Sequence, residues 1–165
     1  MNDSDSEAAV TPEFLKTGAT DGNFAMHLGA YHKLSRSIPQ VTVGEVQFDL
    51  YVESLGGFTF ELQSAYNADA GISAPITLFA DANGRLSYLN ENGNRTTTSL
   101  YLSKGNNSIA IAFDGKGETA CLTVNGSSAE IDFRSSLGNY VCFAYLYTQS
   151  GTSVSMDRFT VLDFD

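Results

Sequence analysis

The chain predicts an all-β fold, a two-sheet antiparallel β-sandwich, on three observations. From Gly44 to Asp165, short runs alternate apolar and polar residues, and each ends in a turn rich in Gly, Asn or Asp. No stretch keeps a helical period over an ordinary helix length. Hydrophobic residues make up 42% of the 165 residues, with eleven Phe and eight Tyr, enough apolar volume to fill the space between two sheets.

The elements follow in order. Residues 1–10 are acidic, polar and aperiodic, and read as a disordered tail before a single domain over 11–165. Thr11-Pro12-Glu13 reads as an N-cap with Pro at the first helical position, one turn reaching Lys16. In Asn23–Leu28, Phe24, Met26 and Leu28 point inward against Ala25 and His27. Tyr31–Ile38 is a short strand stopped by Pro39.

The alternation then becomes strict. Val46, Phe48, Leu50 and Val52 share one face of Gly44–Glu53, while Glu45, Gln47, Asp49 and Tyr51 share the other. In Gly57–Gln63, Phe58, Phe60 and Leu62 oppose Thr59, Glu61 and Gln63. Ser64–Ala74 is the longest loop, and Pro75–Ala80 and Arg85–Asn90 form a hairpin. Strands follow over Arg95–Leu102, Ser108–Phe113, Glu118–Val124, Ser128–Phe133, Tyr140–Thr148 and Ser153–Phe164, giving about eleven or twelve in all. Asn125-Gly126 is the strongest hairpin signal, since both residues accept positive φ. Tyr145 and Tyr147 follow the parity of Val141 and Phe143, which assigns them to the core.

Charge and composition narrow the partners. A net charge of -10 repels nucleic acid and anionic lipid. No apolar run approaches the length of a membrane span, so no membrane insertion is expected. A polar, sparsely charged surface suits uncharged sugars, and polyanionic glycans are expected only where calcium mediates. Met1–Ala9 lacks the apolar stretch of a signal peptide, which reads as a trimmed exported chain or excised module, or else a cytoplasmic protein. Cys121 and Cys142 fit either one disulfide or two small buried hydrophobes, and no Cys/His cluster suggests zinc.

Three segments carry a resemblance: Ser108-Ile-Ala-Ile-Ala-Phe-Asp114, Ala120-Cys-Leu-Thr-Val-Asn-Gly126 and Met156-Asp-Arg-Phe-Thr-Val161. With Gly44-Glu-Val-Gln-Phe-Asp-Leu50, they resemble the concanavalin A-like and laminin-G-like jelly-roll superfamily over roughly two-thirds of the chain. Many relatives carry Trp where Asn106, Asn107 or Ser108 stands, and the Trp platforms of many sugar-binding modules are missing. The resemblance implies carbohydrate recognition by loops or a sheet face, and in some members a calcium ion. Asp21 and Asp157 are its nominated ligands here; the alternative is that Asp157 bonds backbone amides at a β-bulge.

A sugar site needs an aromatic ring and planar polar groups. Gln47, Asp49, Tyr51, Glu61, Gln63, Arg95 and Tyr101 supply that mixture as one outward strip, with the loop Tyr66–Asp69 at one end. The leading expectation is a non-catalytic carbohydrate-binding module that recognises a polysaccharide or oligosaccharide. It is expected to be secreted or at the cell surface, as a monomer or part of a larger protein. A second reading is a polysaccharide lyase or glycoside hydrolase using His27, His32 or an Asp49/Glu61 cross-strand pair. Glu130-Ile-Asp-Phe-Arg134 lacks the third carboxylate of the jelly-roll glucanases, and Glu130 and Asp132 read as solvated strand charges. A third is a surface module contacting protein.

Overall fold

The computed structural model describes the backbone of residues 13–15 and the full residues 25–65 and 73–165. These form thirteen strands: β1 (Glu13–Leu15), β2 (Ala25–Leu28), β3 (Lys33–Val41), β4 (Val43–Ser54), β5 (Phe58–Gln63), β6 (Ile76–Ala80), β7 (Arg85–Leu89), β8 (Arg95–Tyr101), β9 (Gly105–Asp114), β10 (Thr119–Val124), β11 (Ser127–Asp132), β12 (Val141–Thr148) and β13 (Ser153–Asp163). A single 3-10 turn at Ser135–Leu137 is the helical content among the described residues. Seven strands form one sheet in the order β1-β2-β13-β4-β9-β10-β11, and six form the other as β3-β12-β5-β6-β7-β8. We call these the β4 sheet and the β5 sheet. Every pairing is antiparallel, and the two sheets pack as a jelly-roll sandwich.

The alternation read from β4 and β5 sets the core. Val46, Phe48, Leu50 and Val52 are buried from one sheet, and Phe58, Phe60 and Leu62 from the other. Phe48 and Phe60 meet across the gap with ring centroids 5.1 Å apart. Burying an aromatic of this size contributes about 1.5–3 kcal/mol. Asn125 and Gly126 take φ of 50° and 84°, the double positive φ of the tight turn that sets the β10–β11 register.

Three expectations are corrected. Glu13–Leu15 is a strand, not a helical turn: its backbone pairs with Ala25–His27, and sheet pairing overrides the local Pro signal. β3 runs through Pro39 to Val41, because it is an edge strand and the missing N–H of Pro39 breaks no necessary ladder bond. The parity of β12 also fails. The pairing with β3 is irregular between Val141 and Phe143, four β3 steps against two, and beyond it Ala144 and Leu146 enter the core while Tyr145 and Tyr147 take the outward face. The two cysteines are free, Cys121 in the β4 sheet and Cys142 in the β5 sheet. Burial raises the Cys142 thiol pKa, and its Sγ donates to the Ser64 carbonyl at 3.3 Å.

Asn107 holds one end of the sandwich. It is 1% exposed, and its Nδ2 donates to the carbonyls of Ser103 at 2.8 Å, Gly105 at 3.0 Å and Leu50 at 3.3 Å. Its Oδ1 accepts from the Ser103 amide at 2.8 Å and from Asn125 Nδ2 at 3.0 Å. A leucine there would be close in volume but would leave these buried groups without partners. Asn107→Leu is expected to lower the unfolding free energy by about 2–3 kcal/mol. Urea denaturation checks this, and an unchanged midpoint would contradict it.

Candidate functional site

Sheet membership decides where the nominated residues lie. Gln47, Asp49 and Tyr51 face outward from β4, while Glu61, Gln63, Arg95 and Tyr101 face outward from β5 and β8 in the other sheet. The expected single strip is therefore two surfaces on opposite sides of the sandwich. For the same reason Asp49 and Glu61 are not cross-strand neighbours. Asp49 is held instead by Arg158, whose Nε and Nη2 lie 2.6 Å and 2.5 Å from its Oδ2.

On the β5 sheet, outward side chains line up across strands. The pairs Lys33↔Tyr147, Tyr147↔Thr59, Thr59↔Phe79, Phe79↔Ser87 and Ser87↔Thr97 make one row that crosses all six strands. Directly opposed residues in an antiparallel pair share a face, so this row is a continuous strip. Tyr147, Thr59 and Phe79 are partly exposed, and Thr97 is exposed. Arg95 lies over the Phe79 ring, 4.5 Å from its centroid, and its Nε donates to Ser87 Oγ at 2.6 Å. Lys33 Nζ lies 5.8 Å from the Tyr147 ring centroid. Arg85 sits over Tyr101 at 5.8 Å, toward the far edge of the same sheet.

Beside this row lies a buried polar layer. Glu61 and Gln63 are 2% and 0% exposed, so they build the floor of the face instead of presenting themselves to a ligand. Gln63 Nε2 donates to Glu61 Oε2 at 2.8 Å. The chain after β11 brings Arg134 onto this layer, where its Nη2 donates to Thr77 Oγ1 at 3.0 Å and to the Ala74 carbonyl at 2.7 Å. Burial pulls the Arg134 guanidinium below its usual pKa, and the Glu61 charge pushes it back up. Tyr145, paired with Glu61 in register, has its phenol raised by burial, then by Glu61 and Tyr147. Gln63 Oε1 and Arg134 Nε are buried without hydrogen-bond partners among the described residues.

The other candidates have local roles. His27 Nδ1 lies 3.4 Å from Ser155 Oγ on the outward face of the β4 sheet. His32 Nδ1 accepts the Gly29 amide at 3.0 Å and fixes the β2–β3 turn. Asp132 Oδ2 accepts the Glu91 amide at 2.8 Å. Asp157 Oδ1 accepts the Arg158 amide at 2.8 Å, at the β-bulge between Asp157 and Thr160. Asp21 and the loop residues Tyr66–Asp69 lie outside the described residues. Among the described residues no three His, Cys, Asp or Glu side chains gather as metal ligands.

Sequence reasoning reached Arg95 but missed Tyr147, Phe79, Thr59 and Ser87. The strict alternation of β5 marks Thr59 as outward. Phe79 stands in an uninterrupted apolar run, Leu78-Phe79-Ala80, which hides its direction. Tyr147 is concealed because β12 changes the side it buries after Val141.

No family model matches the chain, and no curated protein matches it. Solved structures do match. A sialidase aligns with a TM-score of 0.68 at 11% identity, over 88% of this chain and 16% of the sialidase. A tetrameric galectin from the ball sponge Cinachyrella sp. aligns with a TM-score of 0.61 at 12% identity, over 79% of this chain and 99% of the galectin. Lactose- and MES-liganded congerin II aligns with a TM-score of 0.58 at 14% identity, over 78% of this chain and 98% of the congerin. The chain thus spans about a sixth of the sialidase and nearly the whole length of the sponge galectin and of congerin II. Its fold is the concanavalin A-like jelly-roll sandwich. Identity this low shows the fold and nothing finer.

The buried Glu61–Arg134 layer makes a measurable claim. Removing a buried hydrogen-bonded group costs about 1–3 kcal/mol, more where it is charged, and the Glu61 charge acts on Arg134 within this layer. Arg134→Met and Glu61→Gln should each destabilise strongly, and the double variant should lose less than the sum of the two. Additive losses in a denaturant double-mutant cycle would show that the two side chains are not coupled.

Proposed function

We propose that this domain is a non-catalytic carbohydrate-binding module of lectin type, and that the glycan lies along the outward row of the β5 sheet. The observation that carries this reading is the row itself. It sets partly exposed rings, Tyr147 and Phe79, on either side of the Thr59 hydroxyl, with Ser87 and Arg95 at one end. An aromatic ring takes the apolar face of a sugar, and fixed hydroxyl and guanidinium groups take its oxygens. Gln63 bonded to Glu61 and Arg134 bonded to Thr77 form a buried floor beside these groups, which keeps them in place before the ligand arrives. The likeness in fold to the sponge galectin and to lactose-liganded congerin II supports the reading.

The opposite surface offers Tyr51, Gln47 and Asp49. There Asp49 is engaged by Arg158, and Gln47 Nε2 donates to Glu45 Oε1, so two of the three polar groups are already committed. The two surfaces are separable by experiment. In affinity electrophoresis against a polysaccharide panel, Tyr147→Ala should weaken retardation by about 1–3 kcal/mol, the scale of one lost stacking platform. Tyr51→Ala should leave it unchanged. The reverse pattern would move the site to the β4 sheet, and a wild-type chain retarded by no glycan would end the carbohydrate reading.

A further inference from the structure

The nine Lys and Arg residues are outnumbered by nineteen Asp and Glu, yet the fold does not mix them. Among the described residues, the strands of the β4 sheet carry Glu45, Asp49, Glu53, Asp114, Glu130, Asp132, Asp157 and Asp163, with Arg158 as their single cation. The strands of the β5 sheet carry Lys33, Arg36, Arg85 and Arg95, with Glu61 as their single carboxylate. That carboxylate is buried, and Arg134 has been laid beside it from the connection after β11. The β4-sheet carboxylates Glu45, Asp49, Asp114, Glu130, Asp132 and Asp157 alternate with core residues, so they face away from the other sheet. In the other direction, Lys33, Arg85 and Arg95 share the outward face of the β5 sheet.

Distance makes this segregation matter. Two packed sheets lie about 10 Å apart, so side chains on the two outer faces are separated by roughly 20 Å. The Debye length at physiological salt is about 8 Å. An anion touching the β5 face is therefore screened from most of the acidic surface and meets the local cations directly. The hairpin turns at the ends of the face contribute Asp81 and Glu91; Asp81 Oδ1 is occupied by the amides of Asn83 and Arg85. Arg95 spends its Nε on Ser87, and among the described residues its two terminal nitrogens have no hydrogen-bond partner. A planar fork held in this way matches a carboxylate.

From this charge arrangement we infer that the glycan bound on the β5 face is acidic, a chain of sugars bearing carboxylates. The inference rests on the proposed carbohydrate function and names its ligand class. Lys33 over Tyr147 and Arg95 over Phe79 are two cation–aromatic pairs. Their rings stand two strands apart, about 10 Å. One sugar ring does not reach both, so repeated acidic groups along a chain fit better than a single charged residue. Overall net charge points the other way, toward neutral sugars, because it averages two surfaces that the ligand meets separately.

The test compares the full chain in affinity gels containing polygalacturonate, the same polymer with its carboxylates methyl-esterified, a panel of neutral glycans, and polyglutamate. Retardation by polygalacturonate is expected, at least tenfold weaker for the ester and falling as NaCl rises from about 50 to 500 mM. Arg95→Gln and Lys33→Gln should each weaken it several-fold, while Glu130→Gln on the opposite face should not. Equal retardation by acid and ester, or retardation by neutral glycans alone, overturns the acidic class and leaves the carbohydrate function standing. Polyglutamate bound as tightly as polygalacturonate would mark an anion surface with no sugar selectivity and overturn both, as would retardation by none of the polymers.

Discussion

Everything in this molecule depends on the contact between the inner faces of β4 and β5. Phe48 against Phe60, with Val46, Leu50, Val52, Phe58 and Leu62 around them, closes the gap between two twisted sheets. Once these even-numbered residues are committed inward, pleat geometry leaves no freedom to their neighbours: Gln47, Asp49 and Tyr51 must look out on one side, and Thr59, Glu61 and Gln63 on the other. Both exterior surfaces are thus by-products of one packing decision. A one-residue slip in either strand would exchange core and surface along its whole length.

The outward surfaces differ in how much they organise themselves. On the β4 sheet the polar groups are satisfied in small local pairs, Asp49 with Arg158, Gln47 with Glu45 and His27 with Ser155. On the β5 sheet they form two tiers. Glu61, Gln63, Thr77 and Arg134 make a buried floor, and Tyr147, Thr59, Phe79 and Arg95 stand beside it within reach of solvent. Burial of charge at the surface of a sandwich is costly without partners. Here Glu61 offsets part of the cost of Arg134, and the result is a rigid bed under the exposed groups. This difference is the physical basis on which we propose the β5 sheet, and not the β4 sheet, as the ligand face.

The connection after β11 is the element that couples fold to site. It leaves the β4 sheet, turns through Ser135–Leu137 and enters the β5 sheet as β12. On the way the Arg134 amide donates to the Pro75 carbonyl at 2.9 Å, and the Leu137 carbonyl accepts from Ser64 Oγ. Gly138, with φ of 126°, carries the chain past Ser64, whose Cβ would lie 2.5 Å from any side-chain carbon placed there. Without this crossing Arg134 would have no route onto the polar floor. Its number in the chain gives no hint of that position.

Much was determined by the sequence alone. The strands β4 through β11 (with β9 starting earlier, at Gly105, than its alternation shows), the inward sets of β4 and β5, the Asn125-Gly126 hairpin and the sandwich class all follow from alternation and turn chemistry, which are local. Three things were not local, and the tertiary structure decided them. Strand order separated Tyr51 from Glu61 and gathered Tyr147, Thr59, Phe79 and Ser87 into one row, because neighbours in a sheet are chosen by contacts between residues far apart in the chain. β12 changes the side it buries after Val141, at an irregular pairing with β3 residues some hundred positions earlier in the chain, which no local pattern reveals. Finally, the sum of charges concealed an acidic face and a basic one, since a total carries no information about which strands end up side by side.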